Sequence, residues 1–458
     1  MSLMIGKGHH TIDMCSGSLP GKILLFALPL ATSRLLQLLF NAADIVVVGK
    51  FVGKEALAAV GSNTALINLL ISIFVGLSIG TNVTLAKDIG AKQPDAVQQD
   101  VHTSICLALL SGAVLTVFGV CIAPHLLRWM DSPDDVIDLA SLYLRIYFLG
   151  MPATMVYNFG SAVMSAQGDT QRPLYALFIA GIANVAMNLL FVIGMRLGVA
   201  GVGLATTISQ YISAGLVLWF LAREQGATRL DFRRLRMDPV IVRHILQVGL
   251  PAGFQGMVFE LSNVVIQSTV NSFGSTMMSG VAASQNIESF VFAIIDTFYQ
   301  AAMTFTSQNY GAGKYDRVDK ATIYCLLFTI AAGLILGNLM FYFGHNLIAI
   351  YVQPGPEQEA IIQAGLIRMG HVGRLYALCG IMDTMVGSLR GLGCSIVPML
   401  GSLVGSCLLR LVWVYTIFPL NPTPETLFTS YPVTWVITSI FQIVIYLYVR
   451  RKITPKNI

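Results

Sequence analysis

Apolar positions along this chain fall into long runs that short polar segments separate. An α-helix needs about 20 apolar residues to cross a bilayer, because each residue adds about 1.5 Å. Runs of this length recur throughout the sequence, and no long polar block is left for a separate soluble domain. The pattern predicts twelve membrane-spanning helices at 23–48, 56–84, 101–126, 138–164, 174–195, 200–222, 245–270, 278–306, 321–345, 360–388, 395–419 and 433–449.

Composition agrees with an integral membrane protein. Apolar residues make up 55% of the 458 positions and charged residues only 11%, whereas soluble domains average roughly 25% charged residues. The seven cysteines lie mostly in apolar runs and show no CxxC spacing, so we interpret them as small core residues. We find no GxxxxGK[ST] or HExxH motif, and we expect neither direct use of ATP nor an enzyme.

The placement of the basic residues predicts the orientation. With both termini in the cytoplasm, 19 of the 28 Lys and Arg residues fall on the inside and four on the outside, and the other five lie within spans. Arg390 is counted on the inside, in the segment after the tenth span. This bias follows the positive-inside rule. The net charge of +5 is therefore mostly a topology signal, and we expect no nucleic-acid partner.

An internal repeat divides the chain. LPLATSRLLQLLFNAADIVVVGKFVG from Leu28 matches LPAGFQGMVFELSNVVIQSTVNSFG from Leu250, with Pro29 aligned to Pro251. We therefore predict an N-lobe at 1–222, a basic cytoplasmic linker at 223–244 and a C-lobe at 245–458. Because six spans is an even number, the two six-helix bundles enter the membrane in the same direction, as parallel repeats related by a pseudo-twofold axis. This design favours a secondary transporter over a channel or a purely structural duplication.

Five acidic residues lie within the predicted spans, where a charge costs on the order of 2.5–3.5 kcal/mol and usually faces a partner or a water-filled cavity. The acids do not coincide between the repeats, since Asp44 aligns with Ile266 and Glu260 with Leu38, so each half has its own charge chemistry. The five are Asp44, Glu260, Glu288, Asp296 and Asp383.

Asp44 is the candidate proton acceptor. Asn41 lies three residues before Asp44, on the same helix face. Asn184 and Asn188 in the fifth span also share a face. Amides supply a hydrogen-bond partner for either protonation state of a carboxylate.

The acids of the second half leave alternatives open. Glu260 and Asp383 are accompanied by the embedded cations Arg374 and Arg410, so the acids and bases could neutralise one another and fix helix contacts. The two carboxylates, with backbone carbonyls, could equally bind Na⁺. Glu288 and Asp296 could instead lie near a helix end.

Several motifs resemble one family when they are taken in order. ALPL lies near the start of the first span, and ADIVVVGKFVG lies at its end. GDTQRP follows the fourth span. GVAGVGLATTISQ opens the sixth span, SQNYGAGKYD follows the eighth, and SLRGLGCSIVP follows the tenth. The set covers nearly the whole chain and is similar to the multidrug and toxic compound extrusion (MATE) family, bacterial type.

The resemblance implies two six-helix lobes around a V-shaped central cavity in the bacterial inner membrane. It implies an antiporter that expels drugs and organic cations in exchange for H⁺ or Na⁺, without another cofactor. Asp44 matches the family's N-lobe protonation site, Glu260 and Asp383 match its C-lobe cation-coupling acids, and Glu288 resembles a helix 8 acid of the bacterial branch. Members with a proton-driven N-lobe often have Asn and Asp in helix 5, where this chain has Asn184 and Asn188.

We therefore expect a monomeric, alternating-access exporter in contact with the lipid bilayer. A flippase or exporter of a lipid-linked saccharide or another amphiphile is the alternative, and a membrane enzyme or receptor is a more distant one. Polar residues within the spans are the candidate lining of the substrate cavity, namely Gln37, Asn158, Gln255, Asn263 and Arg410.

Overall fold

The computed structural model describes residues 11–52, 54–129 and 134–453, with side chains throughout except at 54–66, 123–124, 126, 128–129 and 134–136. The chain ends at 1–10 and 454–458, which we expect in the cytoplasm, lie outside these residues. Within the described ranges the chain forms helices and turns and no strand. The prediction of an all-α fold is confirmed.

Contacts within the chain define two units, one containing Leu24–Gly253 and one containing Phe254–Ile458, with Ser18–Ile23 grouped with the second. The division falls inside a helix, after the basic linker. The helices that run through the first unit are α1 (Leu19–Phe51), α2 (Lys54–Gly90), α3 (Pro94–Trp129), α4 (Asp134–Leu149), α5 (Met151–Ala166), α6 (Gln171–Asn188), α7 (Gly198–Ala222) and the first half of α8 (Pro239–Asn271), with a π-helical segment at Leu189–Gly194 and a 3-10 turn at Phe232–Arg234.

The second unit contains the rest of α8 and eight further helices. They are α9 (Ser275–Gly311), α10 (Tyr315–Tyr342), α11 (Gly344–Ala349), α12 (Gln358–His371), α13 (Tyr376–Gly391), α14 (Ile396–Ser402), α15 (Leu409–Thr416) and α16 (Pro424–Ile453). A 3-10 turn at Gly373–Leu375 separates α12 from α13, and a π-helical segment at Leu403–Leu408 separates α14 from α15. A further 3-10 turn lies at Phe418–Leu420.

Each of the twelve predicted spans falls on a helical stretch of the structure. Among the described residues, eight helices are long and apolar enough to cross a membrane, or nine if α4 and α5 form one bent span. The bend of 46° falls at Gly150 and Pro152, where proline lacks the amide hydrogen that would continue the helix. The helices α8, α9 and α12–α13 do not pass this test, whereas α1 passes it although it contains Asp44. The membrane-spanning class is confirmed, and the count of twelve is not reproduced.

The predicted linker packs against the first unit over part of its length. The buried ring of His102 in α3 contacts the backbone of Asp231, with Nε2 at 3.1 Å from both the amide nitrogen and the carbonyl oxygen. The hydroxyl of Thr103 donates to the carbonyl of Arg236 and accepts from the amide of Asp238. Because a loop fastened at two points has less freedom, the linker is an ordered part of this unit and not a flexible tether.

A G-x-S-x-G pattern at Gly76, Ser78 and Gly80 serves helix packing. In hydrolases this pattern sits on a strand-to-helix turn, but here all three residues lie inside α2. A Cβ at Gly76 would lie 2.3 Å from the amide nitrogen of Gly253, and one at Gly80 would lie 2.2 Å from the carbonyl oxygen of Ile245. The glycines are therefore required for the close approach of α8 to α2.

Candidate functional sites

The first unit contains an acid–amide cluster, formed by Asp44 of α1 with Asn184 and Asn188 of α6. Nδ2 of Asn188 donates to Oδ1 of Asp44 at 2.5 Å and to Oδ1 of Asn184 at 3.2 Å. Both asparagines are buried, and Oδ1 of Asn188 has no hydrogen-bond partner within the described part of the chain. The cluster thus provides a donor for an ionised carboxylate and an unused acceptor for a proton.

A glycine one turn away allows α1 to reach these amides. Gly181 lies on the same face of α6 as Asn184 and Asn188, since the spacing is i, i+3 and i+7. A Cβ at Gly181 would lie 1.9 Å from the ring of Phe40, and Phe40 precedes Asp44 by one helical turn. Because Gly181 has no side chain, α1 and α6 can pack closely enough for Asp44 to reach Asn188.

The α-helical geometry of α6 ends at Asn188 and changes to a π-helical segment. Such segments are rare and occur frequently at functional sites. Two tyrosines of α4, Tyr143 and Tyr147, lie close enough for the charge of Asp44 to act on them. Sequence reasoning missed these tyrosines, because nothing in the spacing along the chain relates α4 to α1.

Other residues predicted for the first unit make no hydrogen bond to the acid–amide cluster among the described side chains. Asn41 is exposed, and Asn158 is half-buried. Gln37 accepts a hydrogen bond from Arg34 at 3.5 Å. Although Asn41 and Asp44 belong to the same helix, the described residues show no hydrogen bond from Asn41 to Asp44.

The second unit contains a Glu288 cluster that joins three helices. Nε and Nη2 of Arg368 on α12 donate to Oε2 of Glu288 on α9 at 3.2 and 3.0 Å, and the hydroxyl of Tyr376 on α13 donates to the same oxygen at 3.2 Å. Ser284 donates to Oε1 at 2.8 Å. Glu288 is 1% and Arg368 5% exposed. The carboxylate that we selected for cation binding is thus already engaged by a guanidinium.

An Asp383 cluster lies between α13 and α9. Asp383 and Arg390 share one face of α13 with Gly387, where a Cβ would lie 2.5 Å from the carbonyl oxygen of Tyr299. The charges of Asp296 and Arg390 act on Asp383. Arg390 donates to the hydroxyl of Tyr299 at 2.6 Å and to Oε1 of Gln255 on α8 at 2.9 Å.

Arg390 is a buried helix residue and not the loop residue that we predicted from the sequence. We counted it among the basic residues of a cytoplasmic segment, but it belongs to the last turn of α13 and is only 4% exposed. The seven-residue spacing from Asp383, two turns along one helix face, was a signal that could have placed it on the same helix. Its partner Gln255, which we predicted as a cavity residue, is likewise buried.

The remaining residues predicted for the second unit are dispersed. Glu260 and Asn263 are exposed, and the described residues give neither side chain a hydrogen bond. Arg410 is buried, with its guanidinium carbon 4.0 Å from the centre of the Tyr431 ring and Nη2 donating to Thr434 at 3.3 Å.

The described residues contain no group of three or more His, Cys, Asp or Glu side chains that could hold a metal ion. A Na⁺ site built on Glu260 and Asp383 stays a prediction.

A comparison with known families decides the identity of the chain. The model of the MatE family matches residues 29–190 and again residues 251–416, which together are more than half of the sequence. This protein belongs to the MatE family. The two matches begin 222 residues apart, which is the offset of the repeat that aligns Pro29 with Pro251.

Curated relatives and solved structures match this protein over most of its length. The "Probable multidrug resistance protein YoeA" of Bacillus subtilis is 27% identical over 82% of this chain and 81% of its own length. The "FAD transporter" of Shewanella oneidensis is 24% identical over 72% of this chain and 74% of its own length. The structure of "MATE in complex with MaL6" has a TM-score of 0.88 at 20% identity and covers 96% of this chain and 97% of that one. The protein is therefore a membrane transporter with the MatE fold.

Proposed function

We propose that this MatE transporter exports hydrophobic, often cationic drugs and toxic compounds in exchange for H⁺ or Na⁺ by alternating access. The name of the Bacillus subtilis relative supports the substrate class. One observation carries the coupling: within the described residues, the hydrogen-bond partner of the membrane carboxylate Asp44 is an amide and not a cation. Because no neighbouring cation in the described part of the chain neutralises it, this carboxylate is able to bind either a proton or a transported cation.

In this mechanism Asp44 supplies the negative charge that attracts the drug. Binding of H⁺ to Asp44 removes that charge and weakens drug binding, and the drug in turn weakens proton binding, because the two effects are reciprocal. A coupling of about 1.4 kcal/mol changes affinity tenfold, so one carboxylate suffices. Asn184 and Asn188 hold the side chain in either state. Glu260 and Asp383 are the alternative site, for Na⁺.

We place the protein in the bacterial plasma membrane with both termini in the cytoplasm. The basic residues counted on the inside support this orientation even without Arg390, because 18 of them remain against four outside.

The test is ethidium efflux from proteoliposomes, driven first by a pure pH gradient and then by a pure Na⁺ gradient. We expect Asp44→Asn to reduce pH-driven efflux at least about tenfold, since the amide cannot carry the charge. The matched control is Asp95→Asn, an exposed acid in the first turn of α3, and we expect it to transport like the wild type. Normal pH-driven efflux by Asp44→Asn would refute proton coupling at this residue. A wild type that responds to neither gradient would refute antiport.

A second candidate, export of an anionic amphiphile such as a lipid-linked saccharide, is favoured by Arg410. This buried guanidinium has no carboxylate within 4 Å among the described side chains, and its Nε has no hydrogen-bond partner. A buried cation without a counter-ion is a site for a negatively charged group. The Shewanella oneidensis relative is named "FAD transporter", and FAD is an anionic flavin nucleotide. Counterflow of that nucleotide, but not of ethidium, in the same proteoliposomes would favour this candidate.

A further inference from the structure

An exposed groove runs along the last turns of α10 in the second unit. Its volume is about 700 Å³, and it is open to the surroundings of the protein. Leu334, Ile335, Leu339 and Tyr342 line it and are 48%, 60%, 49% and 80% exposed. The remaining lining residues are Asn338, Phe341 and Arg374. Because α10 is long and apolar enough to span the membrane, this groove faces an apolar medium over most of its length.

Arg374 places one positive charge at the edge of the groove. It lies on the 3-10 turn between α12 and α13, with its guanidinium carbon 4.8 Å from the centre of the Phe341 ring and Nε donating to Oδ1 of Asn338 at 3.2 Å. In the part of the chain that the structure describes, no carboxylate lies within 4 Å of this guanidinium. From sequence we grouped Arg374 with Glu260 and Asp383 as an embedded charge of the second half, and in the structure it lines this groove.

Arg374 is hydrogen-bonded to Asn338, and the position of Asn338 along α10 defines the depth of both residues in the bilayer. Asn338 follows Tyr315 by 23 positions, which is about 35 Å of helix, and the hydrocarbon core is about 30 Å thick. The Tyr315 end lies at the basic end of α16, since Arg450 donates to the carbonyl oxygen of Tyr315 at 3.1 Å. Arg374 therefore lies near the opposite membrane surface. Tyr342 beside it fits the aromatic belt of that surface.

Phosphate groups of phospholipids occupy that depth. Arg donates a planar set of N–H groups that matches phosphate oxygens, and it has donors left after the single hydrogen bond to Asn338. Leu334 and Ile335 lie about one helical turn from Asn338 toward the bilayer centre, where an acyl chain attached to the phosphate would run, and Leu339 lies beside Asn338. A cationic drug does not fit, because the only charge in the groove's lining is positive.

We propose that this groove is a phospholipid-binding site, in which Arg374 and Asn338 hold the phosphate and Leu334, Ile335 and Leu339 contact an acyl chain. The site belongs to the membrane leaflet opposite the basic end of α16. It is separate from the acid–amide cluster and does not depend on the coupling ion or the exported substrate.

The test uses the purified full-length transporter in detergent after removal of lipid. Dioleoylphosphatidylglycerol, dioleoylglycerol and inorganic phosphate are added separately, and bound molecules are counted by native mass spectrometry. We expect the phospholipid to be retained at least tenfold more strongly than dioleoylglycerol, which has the same acyl chains without the phosphate. Inorganic phosphate alone is expected not to bind.

Arg374→Gln is expected to lose this retention, and Arg374→Lys to keep part of it. The matched control is Lys452→Gln, because Lys452 is also an exposed cation over an aromatic ring, Tyr448 at 4.5 Å, but at the other end of the unit. We expect Lys452→Gln to retain the phospholipid like the wild type. Equal retention by Arg374→Gln and the wild type would overturn the proposal. Equal binding of dioleoylglycerol, or binding of inorganic phosphate alone, would also overturn it.

Discussion

The two units hold their membrane carboxylates in different ways. In the first unit Asp44 accepts a hydrogen bond from a neutral amide, whereas in the second unit Glu288 is bound by the guanidinium of Arg368. Loss of charge at Asp44 leaves no buried cation behind. Loss of charge at Glu288 leaves Arg368 unpaired in a dry interior, which is strongly unfavourable. Glu288 therefore holds helices together through its ion pair, whereas Asp44 has no cation among the described residues that depends on its charge.

The largest effect on stability is expected from Glu288→Gln. The substitution leaves a buried guanidinium without its counter-ion, and we expect the free energy of unfolding to fall by about 3–5 kcal/mol. Denaturant unfolding of the purified protein in detergent measures this change. The control Glu357→Gln, at an exposed acid, is expected to change stability by less than about 0.5 kcal/mol.

A double substitution separates the ion pair from the packing around it. Replacing both Glu288 and Arg368 by Met removes both charges, so we expect it to recover part of the loss. If Glu288→Gln costs less than about 1 kcal/mol, the ion pair does not hold the helices together, and the contrast with Asp44 fails.

An intermediate effect is expected from Gly181→Ala. The new methyl group would meet the ring of Phe40, and overpacking of this kind typically costs about 1–3 kcal/mol. Because the substitution also moves α1 from Asn188, we expect reduced pH-driven efflux. Gly215→Ala is the matched control, since a Cβ there meets nothing within 4 Å, and it is expected to be neutral or stabilising by up to about 1 kcal/mol. Equal behaviour of the two variants would show that the contact at Gly181 is not tight.

The smallest effect on stability is expected from Glu260→Gln. Glu260 is exposed and has no hydrogen bond in the described ranges, so the change in unfolding free energy is expected to stay within about 0.5 kcal/mol. If Glu260 belongs to the proposed Na⁺ site, the same variant loses Na⁺-driven efflux. Unchanged Na⁺-driven efflux would remove Glu260 from that site.

The one-dimensional pattern predicted the helical class and the internal repeat well. Apolar runs and the offset of 222 between repeats depend only on residue type and position, and the two family matches reproduce that offset. The same pattern was less reliable where polar residues interrupt a span. Arg390 illustrates the error, since a charge at the end of an apolar run resembles a loop residue until its buried partners are known.

The sequence also did not predict which of the candidate side chains contact one another. Asp44 and Asn188 were both selected as candidates, but their separation along the chain contains no information on contact. Arg374 and Arg410 were grouped with Glu260 and Asp383 because all four lie in one half. The structure instead gives Asp383 the neighbours Asp296 and Arg390, and gives Glu288 the partner Arg368.

The sequence by itself determined the membrane class and the two halves, because the bilayer imposes length and hydropathy on every helix and the repeat depends only on residue type and position. Only the tertiary structure decided which charges meet. Helix packing depends on close contacts such as Gly181 against Phe40 and Gly387 against Tyr299, and these contacts join residues that are distant in the chain. They leave Asp44 with an amide, Glu288 with a guanidinium and Arg374 at a groove open to lipid.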